Sequence, residues 1–260
     1  MTATVAGVFP QRRTAVLTGA GSVRGIGRAT AERLAASGWS IAVLDLDGAA
    51  AEEAARLLTE THGIEAIGVR VDVADEASVD AAITRVEGAL PPLVALVNLA
   101  GVSSPTPFLE ATVAEWDRVH AINLRGAFVV TQRVVPGMIE RRLGRIVSLS
   151  SVSAQRGGGS YSKVAYSSSK AALLGFTRAL AREVGEFGIT VNAVAPGPID
   201  TDIMGGTLDE ARKQALAQGI LVGRIGTPDE VGALIAFLVG PDAGFITAAT
   251  YDINGGLQVS

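Results

Sequence analysis

The chain has 260 residues but no cysteine and only two histidines, His62 and His120. Without cysteine it can form no disulfide, no thiolate zinc site, no iron–sulfur cluster and no cysteine nucleophile. Two histidines are too few for most histidine-based metal sites, so we expect no bound metal. Met1–Pro10 lacks the order of charged and then apolar residues that marks a signal peptide. Because the lack of disulfides also fits a reducing compartment, we expect a cytoplasmic protein.

An excess of basic residues and long apolar runs are also missing. Lysine and arginine number 22 against 26 acidic residues, and this balance does not indicate nucleic acid binding. The apolar run Val94–Val102 is far shorter than a membrane-spanning helix, so no membrane association is expected. Hydrophobic residues nevertheless make up 48% of the chain. That share is enough to bury a large core and excludes disorder as the main state.

Short apolar runs alternate with helical patterns along the whole chain. The predicted strands are Arg13–Thr18, Ser40–Asp45, Ala66–Val71, Val94–Asn98, Arg145–Leu149, Thr190–Ala195 and Tyr251–Ile253. The predicted helices are Gly25–Ser37, Ala49–Glu60, Glu76–Gly88, Val113–Ile139, Ala165–Phe187, Leu208–Gln218 and Asp229–Leu238. Continuous apolar strands that alternate with helices are typical of a parallel sheet covered by helices on both faces. No linker, repeat or break in composition divides the chain, so we predict one α/β domain over residues 1–260.

The longest stretch without a predicted strand is Pro196–Gly226, which follows the sixth predicted strand. In an open α/β sheet, ligands bind beyond the carboxyl ends of the strands. We therefore predict that residues 196–226 form a lid on the substrate side of that crevice.

A glycine-rich turn follows the first predicted strand and opens the first predicted helix. Glycines at such a turn let the backbone approach a pyrophosphate, which the N-terminus of the helix attracts. The turn predicts a dinucleotide site that includes Gly19, Gly21, Ser22, Arg24, Gly25 and Ile26. Five residues separate Gly19 from Gly25, so the sequence leaves open which glycine contacts the phosphate.

Asp45 ends the second predicted strand and is followed by Leu46. A carboxylate there can accept hydrogen bonds from the adenosine ribose and would repel a 2′-phosphate, which favours NAD over NADP. It could also cap a helix, and Asp47 could share either role. Arg24 argues for NADP, because a guanidinium in the glycine loop could pair with a 2′-phosphate. We favour NAD, since a buried clash of like charges excludes a ligand whereas an exposed arginine only permits one.

Tyr166 and Lys170 are four residues apart in a predicted helix, so they share a face about one turn apart. A nearby ammonium favours the phenolate, so we expect Lys170 to lower the pKa of Tyr166 from about 10 toward neutrality. Such a tyrosine is a usable acid and base. Tyr161 and Lys163 form a second pair, but two residues apart on a helix they would face different ways.

Together these motifs resemble the short-chain dehydrogenase/reductase family over nearly the whole chain. The marks occur in the order glycine loop, Asp72-Val73, Asn98-Leu99-Ala100-Gly101, Asn123, Ser151, Tyr166 with Lys170, and Pro196-Gly197. The resemblance implies a Rossmann-type, doubly wound domain with a seven-stranded parallel sheet. It also implies metal-independent hydride transfer between a nicotinamide cofactor and an alcohol or carbonyl. A homotetramer is implied as well, with the helices Val113–Ile139 and Ala165–Phe187 packed between subunits.

The resemblance implies a role for each catalytic candidate. Tyr166 would exchange a proton with the substrate oxygen, while Lys170 would lower the pKa of that tyrosine and hold the nicotinamide ribose. Ser151 would hydrogen-bond to the substrate oxygen, and Asn123 would position a water that relays protons. The serines at 150 and 153 are alternatives to Ser151, which the register after the fifth strand favours.

The resemblance also extends the predicted cofactor and substrate sites. Further cofactor-binding residues would be Asp72, Val73, Asn98, Ala100, Gly101, Pro196, Gly197, Ile199 and Thr201. The substrate pocket would be bounded by Ser151, Val102, Ser103, Gly158, Tyr161, Gly197 and Met204. No lysine or arginine is among these pocket residues, which favours a small, neutral, moderately apolar alcohol or carbonyl compound.

The sequence departs from the family pattern in several places. Either the glycine loop carries two additional residues or Gly21 takes the role of the first motif glycine, and Leu99 replaces a usual asparagine. The segment Gln155–Lys163 is two residues longer than usual between serine and tyrosine, and it borders the expected substrate pocket. Thr247–Thr250 lacks a glycine often found there.

The leading interpretation is an NAD-dependent oxidoreductase acting on a secondary alcohol or ketone. The alternative is an NADP-linked reductase of 3-oxoacyl thioesters of the acyl-carrier-protein type. A catalytically inactive nucleotide-binding protein is a remote third interpretation, which the joint presence of the four catalytic candidates argues against.

Overall fold

The computed structural model describes residues 9–159, 161–204 and 206–259. Its strands are β1 (Thr14–Thr18), β2 (Ser40–Asp45), β3 (Ala66–Arg70), β4 (Leu93–Asn98), β5 (Gly144–Leu149), β6 (Ile189–Pro196) and β7 (Thr250–Ile253). They form one parallel sheet in the order β3-β2-β1-β4-β5-β6-β7. The order reverses direction between β1 and β4, which creates a crevice beyond their carboxyl ends. This sheet confirms the predicted doubly wound fold.

Helices cover both faces of the sheet. They are α1 (Ile26–Ala36), α2 (Gly48–His62), α3 (Glu76–Ala89), α4 (Val113–His120), α5 (Gly126–Arg141), α6 (Ser153–Arg156), α7 (Val164–Val184), α8 (Glu210–Ala217) and α9 (Pro228–Val239). On one face α1, α2 and α9 bury side chains such as Leu34, Leu58 and Ile235 against the sheet. On the other face α3, α5 and α7 bury Ile83, Met138 and others. Burial on both faces explains why the strands are continuous apolar runs.

The prediction of one continuous helix over Val113–Ile139 is wrong in one respect. A π-helical turn, Ala121–Arg125, interrupts it between α4 and α5. Such wide turns are rare and often occur at functional sites. Here the turn contains Asn123, whose amide oxygen accepts from the backbone N–H of Val102 at 2.8 Å. Likewise, the predicted helix Ala165–Phe187 ends earlier, as α7 followed by the 3-10 turn Gly185–Phe187.

The segment after β6 folds back over the carboxyl edge of the sheet. Its two ends pair through a bridge between Ile199 and Gly226. Between them lie a 3-10 turn, Asp202–Met204, and α8. Leu208, Ile220 and Ile225 form a small apolar cluster apart from the two faces of the sheet. This position is where we predicted a lid.

Candidate active site

Three predicted catalytic side chains come together beyond the carboxyl end of β5. Ser151 follows that strand by two residues, while Tyr166 and Lys170 lie one turn apart near the start of α7. The hydroxyl groups of Ser151 and Tyr166 form a hydrogen bond. The Lys170 ammonium donates to the carbonyl oxygen of Leu149 at 2.7 Å and lies 5.8 Å from the centre of the Tyr166 ring.

The pKa of Tyr166 does not follow the sequence-based expectation in the protein without ligands. Burial raises the pKa of the Tyr166 phenol above its ordinary value, and the hydrogen bond from Ser151 only partly opposes this shift. Burial also lowers the pKa of Lys170 to about 8. The expected lowering of the Tyr166 pKa by Lys170 is thus corrected: burial disfavours the phenolate, and the ammonium is held at the Leu149 carbonyl.

The structure distinguishes the three serine candidates. The Ser150 hydroxyl donates to the backbone carbonyl of Lys170 at 2.8 Å and is buried. The Ser153 hydroxyl pairs with that of Ser162, also at 2.8 Å. Ser151 is the one that meets Tyr166, and its oxygen accepts from the backbone N–H of Ser153 at 3.1 Å. That geometry favours Ser151 as the group that contacts a substrate oxygen.

Asn123 is buried and well bonded to the protein. Its amide nitrogen donates to the Val102 carbonyl at 3.0 Å and to the Ser169 hydroxyl at 3.1 Å, so both donors are used. Its oxygen, which also accepts from Val102, keeps a second lone pair. A side chain at Gly101 would lie 3.3 Å from both this oxygen and the Lys170 ammonium. Glycine at 101 therefore keeps the space between these two polar groups free.

The glycine loop has the close backbone approaches that a pyrophosphate site needs. Gly19 has φ +66°, and a Cβ there would lie 2.8 Å from the Ala100 Cα. A Cβ at Gly27 would lie 2.7 Å from the Ala20 Cα, which brings the start of α1 close to the loop. The backbone N–H of Gly21 donates to Asp45 at 2.8 Å. Bonds of this kind fix the loop and the end of β2 against each other.

Most of the predicted cofactor residues line one cavity of about 470 Å³ at the crevice between β1 and β4. Those that line it are Gly19, Ser22, Gly25, Ile26, Asp45, Leu46, Val73, Ala100, Gly101 and Thr201. Val71 lines it as well and was missed, although it lies in the predicted third strand next to Asp72-Val73. The cavity is mostly apolar, and its lining includes the residue Asp45 that was predicted to meet the adenosine ribose, which suits a dinucleotide.

A second cavity, of about 360 Å³, lies beside the first. Its lining includes Ser151 and Tyr166, together with the predicted Ser103, Gly158, Tyr161 and Gly197. Pro196, Ile199 and Thr201 line this cavity too. The two cavities share Ile26, Leu149, Thr201 and Ile203 as a common wall. A ligand in one cavity can therefore contact a ligand in the other next to the Ser151–Tyr166 hydrogen bond.

A family model described as enoyl-(acyl carrier protein) reductase, of the short-chain alcohol dehydrogenase type, matches residues 19–258. The chain belongs to the short-chain dehydrogenase/reductase family. This membership confirms the resemblance on the motifs. The protein is accordingly an NAD(P)-dependent oxidoreductase of the kind that acts on CH–OH or keto groups.

Several relatives of this dehydrogenase/reductase match over nearly their whole length. One is an uncharacterized short-chain type dehydrogenase/reductase of Sinorhizobium fredii, 40% identical over 95% of this chain and 98% of the relative. Another is a 3-oxoacyl-[acyl-carrier-protein] reductase of Aquifex aeolicus, 39% identical over 91% of this chain and 94% of the relative. An acetoacetyl-CoA reductase of Rhizobium meliloti is 40% identical over 94% of this chain and 98% of the relative.

Lys170 and four other predicted cofactor residues lie outside the walls of both cavities, and each has another partner. The Gly21 amide is bound to Asp45. The Asp72 carboxylate accepts from the backbone N–H of Ala74 at 2.9 Å in the turn before α3. The buried Asn98 amide donates to the Thr131 hydroxyl at 3.0 Å. These three hydrogen bonds stabilise the walls of the dehydrogenase site, although Gly21, Asp72 and Asn98 do not line it.

Arg24 is the fourth, and its position corrects the expectation that it could meet a 2′-phosphate. Its guanidinium donates to Asp200 at 2.8 Å and to Asp202 at 3.0 Å, both in the segment after β6. Lys213 of α8 bonds the other oxygen of Asp200 at 3.0 Å. We call Arg24, Asp200, Asp202 and Lys213 the ion-pair latch, because they tie the glycine loop to the lid segment.

The substrate cavity also differs from its prediction. Val102 lines the nucleotide cavity instead, and the side chain of Met204 lies outside the described part of the structure. Arg156, which the sequence-based list left out, lines the substrate cavity. The expectation of a wall without cations is therefore wrong. The signal available in the sequence was the lengthened Gln155–Lys163 segment, which contains this arginine.

No group of three or more histidine, aspartate or glutamate side chains among the described residues could hold a metal ion. Among the helices described, none combines the length and apolar character needed to cross a membrane.

Proposed function

We propose that this protein transfers a hydride between NAD and a secondary alcohol or ketone, with Tyr166 as acid and base. The observation that carries the proposal is the hydrogen bond between Ser151 and Tyr166 on the substrate cavity, next to the wall shared with the nucleotide cavity. A single-domain chain with residues 196–226 as a substrate-side lid is part of the same proposal. Steady-state assays of an alcohol and ketone panel with NAD(H) and NADP(H) test it.

The residues present fit a nicotinamide dinucleotide. Gly19, Gly25 and Asp45 line the nucleotide cavity, and a Cβ at Gly19 would lie 2.8 Å from the Ala100 Cα, so a larger residue there would disturb the wall. Lys170 and the free lone pair of Asn123 flank the space kept open by Gly101, where a ribose hydroxyl or a water could be bound. When bound, the cofactor supplies or accepts the hydride.

The protein's own groups move the proton. In ketone reduction, Tyr166 donates its phenolic proton to the substrate oxygen while the Ser151 hydroxyl donates a hydrogen bond to the same oxygen. In alcohol oxidation, the Tyr166 phenolate accepts that proton. Lys170 stabilises the phenolate by its charge and, with Asn123, forms a polar path by which the proton can be exchanged. Ser151, Asn123 and Lys170 are buried, which limits the access of bulk water to the reacting atoms from the protein side.

Alcohol oxidation should speed up as pH rises, and ketone reduction should slow down. The reason is that burial raises the pKa of Tyr166, so that its phenol holds the proton at neutral pH and must lose it before oxidation. With bound NAD, the positive charges of the nicotinamide ring and of Lys170 oppose this effect of burial, so the apparent pKa should be lower than in the protein without ligands. Rate profiles in both directions measure this. A tyrosinate absorbance titration of wild type minus Tyr166→Phe, with and without NAD, provides a readout independent of turnover. Profiles without a pH dependence would contradict the proposed role.

The proposed preference for NAD rests on Asp45 and on the ion-pair latch. Both oxygens of Asp45 accept backbone N–H groups, from Gly21 and Asp47, so the carboxylate is held at the cavity. A 2′-phosphate would meet this charge, while the guanidinium that could attract it is paired with the lid segment.

An NADP-linked reductase of 3-oxoacyl thioesters is the second candidate. It is supported by relatives whose names are 3-oxoacyl-[acyl-carrier-protein] reductase and acetoacetyl-CoA reductase. The same catalytic groups would serve, with the 3-oxo group at Ser151 and Tyr166. A higher kcat/KM for acetoacetyl-CoA with NADPH than for any simple ketone with NADH would favour this candidate.

We also propose a homotetramer, in which exposed aromatic residues of α4, α5 and α7 pack between subunits. Trp116 and Phe128 are 39% and 45% exposed, and Phe128 contacts Phe176 edge-to-face. Light scattering should give four times the monomer mass, and Phe128→Asp should lower it because a charge would be buried at the interface. Phe108→Asp, at an exposed phenylalanine outside these helices, is the matched control. A monomer mass for the wild type at micromolar concentration would refute the tetramer.

A further inference from the structure

We infer that Arg156 makes the substrate cavity a site for alcohols or ketones that carry an anionic group, a carboxylate or a phosphate. This inference rests on the proposed function, since it concerns the substrate of the same site. It replaces the neutral substrate that the sequence favoured, because that expectation depended on a wall without cations.

Arg156 is the one charged residue among the described residues that line the substrate cavity. It is the last residue of α6 and lies five positions after Ser151. Arg156 is exposed, and its guanidinium forms no hydrogen bond or ion pair with any residue in the described ranges. Arg156 lines a mostly apolar cavity, and a guanidinium without a protein partner can pair with a ligand at no cost in protein contacts.

The carboxylates of neighbouring segments are already bound to other groups. The carboxylate of Asp252 in β7 accepts a hydrogen bond at 2.8 Å from the side-chain amide of Gln155, the residue before Arg156. Asp200 is shared by Arg24 and Lys213 in the ion-pair latch. Asp209 caps α8 by accepting from the backbone N–H of Arg212 at 2.8 Å. The fold thus leaves the charge of Arg156 available at the cavity.

The backbone around Arg156 is held firmly. Gly157, with φ +81°, ends α6 in the left-handed conformation. Gly158 has φ +112°, and a Cβ there would lie 2.4 Å from the carbonyl oxygen of Ser162. The backbone N–H of Gly159 donates to the same oxygen at 2.9 Å, and the hydroxyls of Ser162 and Ser153 pair at 2.8 Å. These contacts fix the position of the Arg156 backbone relative to Ser151.

The chemistry of the cavity defines the ligand. The reacting carbon belongs next to Ser151 and Tyr166, and Val152, Leu216 and Leu257 offer apolar walls for the body of the molecule. A planar guanidinium can bind two oxygens of a carboxylate or a phosphate at the same time. Arg156 lies five positions after Ser151 and ends α6, and both residues line the cavity.

Arg156→Gln tests the inference on a panel of short 2-hydroxy and 3-hydroxy acids, their methyl esters and the matching coenzyme A thioesters. We expect wild type to have a higher kcat/KM for an anionic substrate than for its ester. In the Arg156→Gln variant, the kcat/KM for the anionic substrate should be about tenfold lower than in wild type. The loss should come from a higher KM with an unchanged kcat, because the ion pair is present in both the ground state and the transition state. The ester should change less than about twofold on the same basis. Arg156→Lys should restore part of the loss.

The hydroxy acids carry a carboxylate and the coenzyme A thioesters carry phosphate groups. Comparing these two kinds of substrate shows whether Arg156 binds the carboxylate of a small acid or a phosphate of an acyl carrier. Arg178→Gln, at an exposed arginine of α7 away from the cavity, is the matched control and should leave all constants unchanged. Equal losses for acid, thioester and ester in Arg156→Gln would overturn the inference, as would a wild type that prefers the esters.

Calorimetry on the enzyme–NADH complex separates this inference from the proposed function. If no compound is turned over with either nucleotide, the proposed function fails. Tighter binding of the anionic compounds to wild type than to Arg156→Gln would still support the anion site. Equal binding to both proteins, or no binding to either, would overturn it.

Discussion

Replacing Tyr166 with phenylalanine should lower kcat by about 10³-fold or more, on the scale of general acid–base catalysis combined with lost positioning of the substrate oxygen. The variant keeps the ring and its packing but removes the group that carries the proton and bonds Ser151. Binding of NAD should survive, because the glycine loop and Asp45 lie in the other cavity. Stopped-time assays at saturating substrate and NADH fluorescence titration measure the two effects separately.

Tyr161→Phe is the control for this prediction. Tyr161 lines the same cavity, but its hydroxyl accepts from Arg212 of α8 at 2.8 Å and serves the lid segment rather than Ser151. Loss of this hydroxyl should change KM more than kcat. Lys170→Met should damage both catalysis and cofactor binding, since Lys170 borders both Tyr166 and the space beside Gly101. If Tyr166→Phe kept more than about a tenth of the wild-type kcat while Tyr161→Phe was inactive, Tyr161 would be the acid and base.

NAD should be used with a kcat/KM about 30–150-fold higher than that of NADP, as expected for a charged hydrogen bond plus exclusion of a like charge. The structural cause is twofold. Asp45 is held at the nucleotide cavity by the backbone N–H groups of Gly21 and Asp47. The guanidinium of Arg24 is meanwhile paired with Asp200 and Asp202. Equal or better use of NADPH by the wild type would contradict the preference.

Variants can separate repulsion by Asp45 from the absence of attraction by Arg24. Asp45→Asn removes the charge and keeps an oxygen for the Gly21 amide. Asp200→Asn with Asp202→Asn should release Arg24 from the ion-pair latch. We expect each change to improve kcat/KM with NADP, and the triple variant to improve it most, by about tenfold or more.

A matched control for the latch variants is Asp229→Asn, which removes a carboxylate paired with Arg33 on the surface. It should leave the ratio of the two cofactors unchanged. If the double variant at Asp200 and Asp202 gave the same ratio as wild type, the latch would have no part in cofactor choice.

The fold and the acid–base pair follow from patterns that are local in the sequence. A continuous apolar strand such as β4 must be covered on both faces, and this requirement already predicts a parallel sheet between two layers of helices. Two residues that are four positions apart on an α-helix place their side chains on the same face, so Tyr166 and Lys170 are neighbours. The π-helical turn at Asn123 has no such local signal, and the sequence therefore predicted one straight helix.

The pKa shifts of ionisable groups and the partners of charged side chains depend on the tertiary structure. The direction of the Tyr166 pKa shift comes from burial, which no spacing in the sequence reports. Arg24 is separated from Asp200 by 176 residues, and Gln155 from Asp252 by 97 residues. A long side chain can reach several partners, and only the folded chain specifies which carboxylate is within reach.

Regular secondary structure makes residues at short spacings neighbours in space, so the sheet, the crevice and the reacting pair could be predicted from the sequence. The pairing of Arg24 with the lid segment and the availability of Arg156 at the substrate cavity became visible only in the folded chain. The physical reason is that a charge is neutralised by whatever approaches it in space, and the approaching groups belong to distant segments of the chain.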